Sequence, residues 1–212
     1  MDYPLPERMV DHWSDRTDTV SGDGVVYWHM LLGGHGEVRD LAALARTRLA
    51  EFDGLHFTPD KWLHITILVA GPLAGFSDVR LTEMAKTARH LLSGIGPVSI
   101  DLGTILYHPR AIMLGVRPAH ALEPVRAAVQ RATGPVAASG EASRWIPHMT
   151  IAYSAASQPA APIIRALGME LPSRRVMIQA VSLVVQWGPE RSWDWEPVGT
   201  IELGSVKQIG EG

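Results

Sequence analysis

Leu63-His64-Ile65-Thr66-Ile67 and Pro147-His148-Met149-Thr150-Ile151 are the two stretches on which the reading of this chain turns. Each sets a histidine and a threonine two positions apart inside an apolar run. In a strand, residues two apart share a face and their neighbours turn to the other. Each run therefore presents an imidazole and a hydroxyl together while its apolar residues enter the core. With the two faces opposed, two imidazoles flank one phosphate and two hydroxyls reach its non-bridging oxygens. The chemistry this equips is paired proton transfer. A neutral imidazole removes a proton from water or a ribose hydroxyl, and an imidazolium returns one to the leaving oxygen. An ordinary histidine pKa of about 6.5 keeps both forms available near neutrality.

The tripeptide alone is weak evidence. His56-Phe57-Thr58 also matches it, and His12-Trp13-Ser14 matches a looser form, yet neither lies inside an apolar strand. Pro59 follows Thr58 and removes a backbone donor, so His56 is expected in a loop. A lone strand histidine is ordinarily a satisfied core residue, and threonine is a common strand former. What separates His64 and His148 from that explanation is their matched context.

Outward from the first stretch, Trp62–Val69 predicts a buried strand ended by Gly71-Pro72. Val25–Leu32, closed by Gly33-Gly34, predicts another, and the three- and four-residue apolar spacing from Val38 to Leu49 predicts an amphipathic helix between them. Leu81–Leu92 predicts a second helix. Val98–Tyr107 and Ala111–Arg117, joined by His108-Pro109-Arg110, predict a hairpin. Leu122–Ala132 predicts a helix, and a polar loop with Gly134-Pro135 and Gly140 leads into the strand Pro147–Tyr153. Strand, helix, loop and strand thus occur twice, in Val25–Val69 and Ala111–Tyr153, each time ending on His-x-Thr. A helix near Ile163–Leu167, a long strand Val176–Trp187 and a final strand Val198–Leu203 after Trp193-Asp194-Trp195 complete the second unit.

On the first strand, Val26, Trp28, Met30 and Leu32 form the apolar face, which turns Tyr27 and His29 toward the cleft. On Val176–Trp187, the set Val181, Leu183, Val185 and Trp187 reads as core and leaves Ser182 and Gln186 opposite. Arg117 and Arg144 read as solvated arginines. The seven tryptophans have the flat faces a base-stacking platform needs, but core is their ordinary use.

The chain has 212 residues, 46% hydrophobic and 19% charged, which suits one globular domain or two small lobes. A net charge of -3 argues against a long duplex footprint, because such binding requires many phosphate-contacting cations. With no cysteine there is no disulfide, thiolate nucleophile or zinc-finger set. No His-Glu-x-x-His or close Asp/His cluster marks a metal site. Met1 to Gly24 is polar and lacks an apolar signal core, and no run is long enough to span a bilayer, so a cytoplasmic location is the expectation.

These residues resemble the 2H phosphoesterase superfamily, which includes RNA 2′-5′ ligase-like proteins and cyclic nucleotide phosphodiesterases. The resemblance covers nearly the whole chain. Members carry two His-x-Thr/Ser motifs, each followed by a hydrophobic residue, and here His64, Thr66 and Ile67 and then His148, Thr150 and Ile151 stand in those places. Asp11-His12-Trp13, Trp28-His29, Leu183-Val184-Val185 and Trp193-Asp194-Trp195 match a bacterial group within it.

The combined expectation is an α+β bilobal fold, with two pseudo-symmetric lobes whose antiparallel sheets line a central cleft and whose helices lie outside. Residues 1–24 would be an N-terminal extension and 25–212 one bilobal domain, its repeat halves near 25–95 and 96–203. His64 and His148 are the expected catalytic residues, Thr66 and Thr150 the phosphate-binding ones, and Tyr27, His29 and Gln186 candidates for substrate contact, with no metal and no cofactor. The expected partner is a nucleotide or RNA end bearing a 2′,3′-cyclic phosphate or a 2′-5′ linkage, which the chain would hydrolyse. The alternatives are RNA 2′-5′ ligation, a nucleotide- or RNA-binding module without turnover, and a pathway-specific enzyme acting on a non-RNA phosphoester.

Overall fold

A computed structural model describes residues 4–15, 24–135, 145–187 and 194–204. The elements run β1 (Arg8–Met9), β2 (Gly24–Leu31), α1 (Gly36–Arg48), β3 (Leu55–Phe57), β4 (His64–Pro72), α2 (Asp78–Leu92), β5 (Val98–His108), β6 (Ala111–Arg117), α3 (Glu123–Thr133), β7 (His148–Ser154), β8 (Gln158–Pro159), α4 (Ala160–Leu167), β9 (Glu170–Ile178), β10 (Ala180–Trp187) and β11 (Asp194–Glu202). The helices form where the periodicity of three and four places apolar residues on one side. In α2 these are Leu81, Met84, Ala85, Ala88 and Leu92, and the Ser77 hydroxyl caps its start by accepting from the backbone N–H of Arg80 at 3.2 Å. The ends of α3 and α4 fall at Gly134 and Gly168, whose φ values of +75° and +85° suit a residue without Cβ.

Among the described residues nine strands form one antiparallel sheet, ordered β11-β10-β2-β4-β7-β6-β5-β9, with β3 added on β7; β1 and β8 make a separate pair. The expected two sheets are therefore halves of one. They join through a single residue pair, Ile65 on β4 opposite Met149 on β7. Both side chains are fully buried. The helices pack outside, α1 beside β9, α2 beside β11, and α3 beside both α2 and β4. Trp28, buried on β2, donates from its indole nitrogen to the Thr133 hydroxyl at the end of α3 at 2.9 Å.

Several expectations are corrected. The long strand Val176–Trp187 is two strands: β9 pairs with β5 at one edge of the sheet and β10 with β2 in the other half. Burial alternates at the end of β9, where Val176 and Ile178 are buried and Met177 is exposed, and is continuous from Val181 to Gln186 in β10, because the chain leaves the edge strand β9 at Gln179 and enters the other half between β11 and β2. Consequently 180–202 belongs to the half-sheet of β2 and β4, and the sequence halves 25–95 and 96–203 do not coincide with the halves of the sheet. The final strand begins at Asp194 instead of Val198. His56 lies in a short strand, opposite Tyr153 on β7, and not in a loop. Its strand escapes the apolar pattern because it is three residues long and paired on one side only. Arg117 is exposed at the end of β6, while Arg144, Gly140 and Trp193 lie outside the described residues.

The described part of the N-terminal extension is built into the fold. Its β1 pairs with β8, Val10 N–H donates to the Pro109 carbonyl at 2.7 Å, and His12 N–H donates to the Ser154 carbonyl at 2.8 Å. Met9 is fully buried, and the Arg110 guanidinium forks onto the Asp15 carboxylate with two contacts of 2.7 Å. No helix among the described residues is long and apolar enough to cross a membrane.

Candidate active site in the cleft

The site is built around the one pair that joins the half-sheets. Ile65 and Met149 point into the core, so on both strands the flanking residues turn to the opposite face. His64 and Thr66 flank Ile65, and His148 and Thr150 flank Met149. In antiparallel register this sets His64 on the side of Thr150 and Thr66 on the side of His148. All four are half-buried. The predicted quartet is thus gathered on one face around a pseudo-two-fold axis.

The backbone repeats the symmetry. Leu32 N–H donates to the carbonyl of Leu63 at 2.7 Å, and Val116 N–H donates to that of Pro147 at 3.1 Å. The neighbouring strands therefore grip the residue before each histidine in the same way. The side chains follow. His64 Nδ1 lies 2.7 Å from the Trp62 carbonyl, and His148 Nδ1 lies 2.7 Å from the Ile146 carbonyl. A carbonyl only accepts, so each Nδ1 carries the hydrogen, which makes Nε2 the nitrogen of each neutral ring able to accept a proton. Trp145, just ahead of β7, donates to the Thr66 carbonyl at 3.2 Å and ties the two motifs together.

The walls break the symmetry. Beside His64 the His29 ring lies at 4.2 Å and the Trp195 ring at 4.8 Å between centroids; Tyr27 stacks on His29 at 4.9 Å, and Trp62 meets Trp195 edge to face at 4.6 Å. Burial lowers the pKa of His148 from 6.5, against the opposing effect of its bond to Ile146. His108, at the tip of the β5–β6 hairpin, is also lowered, by burial first and then by the charges of Arg110, His12 and His148. Its Nδ1 accepts from the Arg110 backbone N–H at 3.2 Å.

Of the three candidate contact residues, Tyr27 is half-buried on the cleft face, His29 is buried behind His64, and Gln186 is buried on β10 with Val25 and Trp195 as strand neighbours, where it borders the aromatic wall. His12, Trp13 and His56 gather with Tyr153 in a second aromatic group, the His12 ring 4.5 Å from Tyr153 and the Trp13 ring 5.5 Å from His56. Sequence reasoning did not single out His108 or Trp62 as neighbours of the quartet. The proline-containing hairpin at His108 was the one available signal, and it fixed a turn without fixing what the turn faces. Among the described residues no group of three or more His, Asp or Glu side chains is placed to hold a metal ion.

Residues 21–189 match the model of the 2′-5′ RNA ligase superfamily, a span that includes both His-x-Thr strands. The chain belongs to this superfamily, the 2H phosphoesterases. Solved structures share the fold. A Thermus thermophilus protein, TT0787, is 19% identical with a TM-score of 0.65, over 85% of this chain and 98% of that one. E. coli LigT complexed with 3′-AMP is 14% identical with a TM-score of 0.64, over 85% and 98%. The ns2 PDE domain of MHV is 13% identical with a TM-score of 0.55, over 75% and 96%. A comparison with curated proteins finds no match. As a 2H phosphoesterase superfamily member, the chain is a phosphoesterase- or ligase-like enzyme of α+β fold.

Proposed function

We propose that the protein is a metal-independent phosphoesterase that hydrolyses a 2′,3′-cyclic phosphate or a 2′-5′ phosphodiester of a nucleotide or RNA end. The observation that carries this reading is the matched pair of 2.7 Å Nδ1 to carbonyl bonds, which supports proton transfer at the two Nε2 atoms of opposed motifs. His148, held neutral by burial, takes a proton from water as its oxygen attacks phosphorus. The bond from phosphorus to one ribose oxygen breaks, and His64 as imidazolium protonates that oxygen. Thr66 and Thr150 donate to the non-bridging oxygens and stabilise the charge that builds there. Tyr27 and the aromatic wall beside it offer faces to a base or ribose. LigT structures complexed with 3′-AMP and with ATP support a nucleotide as the ligand class.

The test is mass-spectrometric product analysis of the purified protein in EDTA against the four nucleoside 2′,3′-cyclic monophosphates, with His64→Ala and His148→Ala as controls. The expected result is one monophosphate isomer, absent with either variant. Turnover that vanished on chelation would overturn the metal-independent mechanism.

A further inference from the structure

His29 is a candidate contact residue that the proposed reaction does not use, and its surroundings are unusual. The side chain is 1% exposed, and neither ring nitrogen makes a well-formed hydrogen bond among the described residues, the Trp28 backbone only partly offsetting its burial. A neutral imidazole carries one donor and one acceptor, and burying either without a partner is costly. The ring nevertheless sits in close contact on three sides: Tyr27 stacks on it at 4.9 Å with 21° between planes, His64 lies at 4.2 Å, and Trp195 at 5.2 Å. Its strand neighbours are Thr66 on β4 and Ser182 on β10, whose hydroxyl is engaged with that of Thr200 at 2.9 Å. The titratable groups facing it are therefore His64 and Tyr27. Burial first, and then the charge of His64, hold its pKa well below 6.5, so the ring is neutral near neutrality.

The other half of the cleft places a different residue there. Across the strand from Thr150 stands Met113, as His29 stands across from Thr66. A flexible thioether fills space without fixing the plane of a neighbouring ring. An imidazole turns broadly about its terminal torsion, so one hydrogen bond at Nδ1 leaves its plane loosely held. His64 has a second restraint, the His29 ring packed against it at 4.2 Å with 49° between planes.

We propose that His29 is a positioning residue for His64: its buried ring fills the space behind the His64 imidazole beside Trp195 and holds it with Nδ1–H on the Trp62 carbonyl and Nε2 toward the cleft. The proposal rests on reading His64 as one of the proton-transferring pair.

The test reads the tautomer directly. In protein labelled with 15N in its histidine rings, with His64→Gln used to assign the signals, wild type in alkaline solution, where the imidazole rings are neutral, is expected to show the His64 hydrogen on Nδ1. His29→Phe, which keeps a flat ring, should preserve that state; His29→Ala should give a mixture of tautomers. On a phosphoester substrate, kcat should fall on the order of 10- to 100-fold in His29→Ala with KM nearly unchanged, and His29→Phe should restore most of it. A folded His29→Ala with the wild-type His64 signal would overturn the proposal. Should the alanine variant fail to fold, His29→Leu, similar in bulk but without a flat face, decides by the same spectrum. The tautomer is read without turnover, so failure of the phosphoesterase reading and failure of this placement are separate results.

Discussion

His64 and His148 share one hydrogen-bond arrangement and differ in what surrounds it. Burial lowers the pKa of His148, so the neutral form needed for a base persists below the ordinary value. The acidic limb of a kcat/KM profile measured against pH is accordingly expected to have its midpoint below 6.5. A positioned acid or base contributes about 10²–10⁴-fold, and loss of either histidine should reduce turnover by at least that in a steady-state assay. Thr66→Val or Thr150→Val removes one hydrogen bond to a charged oxygen, about 1.5–3 kcal/mol, so a loss of about 10- to 100-fold is expected. His56 matches the tripeptide but belongs to the group around Trp13 and Tyr153, and turnover in His56→Ala should stay within about threefold of wild type. Equal losses at His56, His64 and His148 would sink the strand-context argument.

At the scale of elements, the N-terminal segment is a strap laid over the tip of the β5–β6 hairpin and the end of β7. The buried Met9 anchors it, together with main-chain bonds and the Arg110 fork on Asp15, which lowers the pKa of that carboxyl. Met9→Ala is expected to destabilise the protein by about 2–5 kcal/mol in denaturant unfolding, as a fully buried methionine leaves a cavity. Asp15→Asn weakens an exposed ion pair, so its effect should show in faster protease cleavage near residue 15 while the melting temperature stays close to wild type. The strap was illegible in the sequence because its two-residue strand carries no period. The break within 176–187 was illegible, since Val176–Ile178 and Val181–Trp187 both read as apolar strand and neither Gly nor Pro marks the join at Gln179.

Across the whole molecule, the joint of the two half-sheets is the pair Ile65 and Met149, and both motifs hang from it. Met149→Ala should cost about 2–5 kcal/mol of stability and also lower kcat, since the joint fixes the spacing of the two histidines. His29 and His148 are both held below 6.5 in the fold, chiefly by burial. Between those lowered values and 6.5 the unfolded chain binds more protons than the native one, so stability rises with pH through that window. Differential scanning calorimetry should show the melting temperature falling as pH drops from about 7 through about 6, less steeply in His29→Phe. The sequence by itself determined the helices, the strands up to Tyr153 other than the short β1 and β3, the His-x-Thr repeat and the shared face of each His and Thr, because these follow from periods of about 3.6 and 2 along a continuous chain. Only the tertiary structure decided that β10 lies beside β2, that Ile65 meets Met149, and that His29 and Trp195 enclose His64. Closing a longer loop costs little more than closing a shorter one, so sequence distance hardly selects which strands pair, and packing of the buried faces makes the choice.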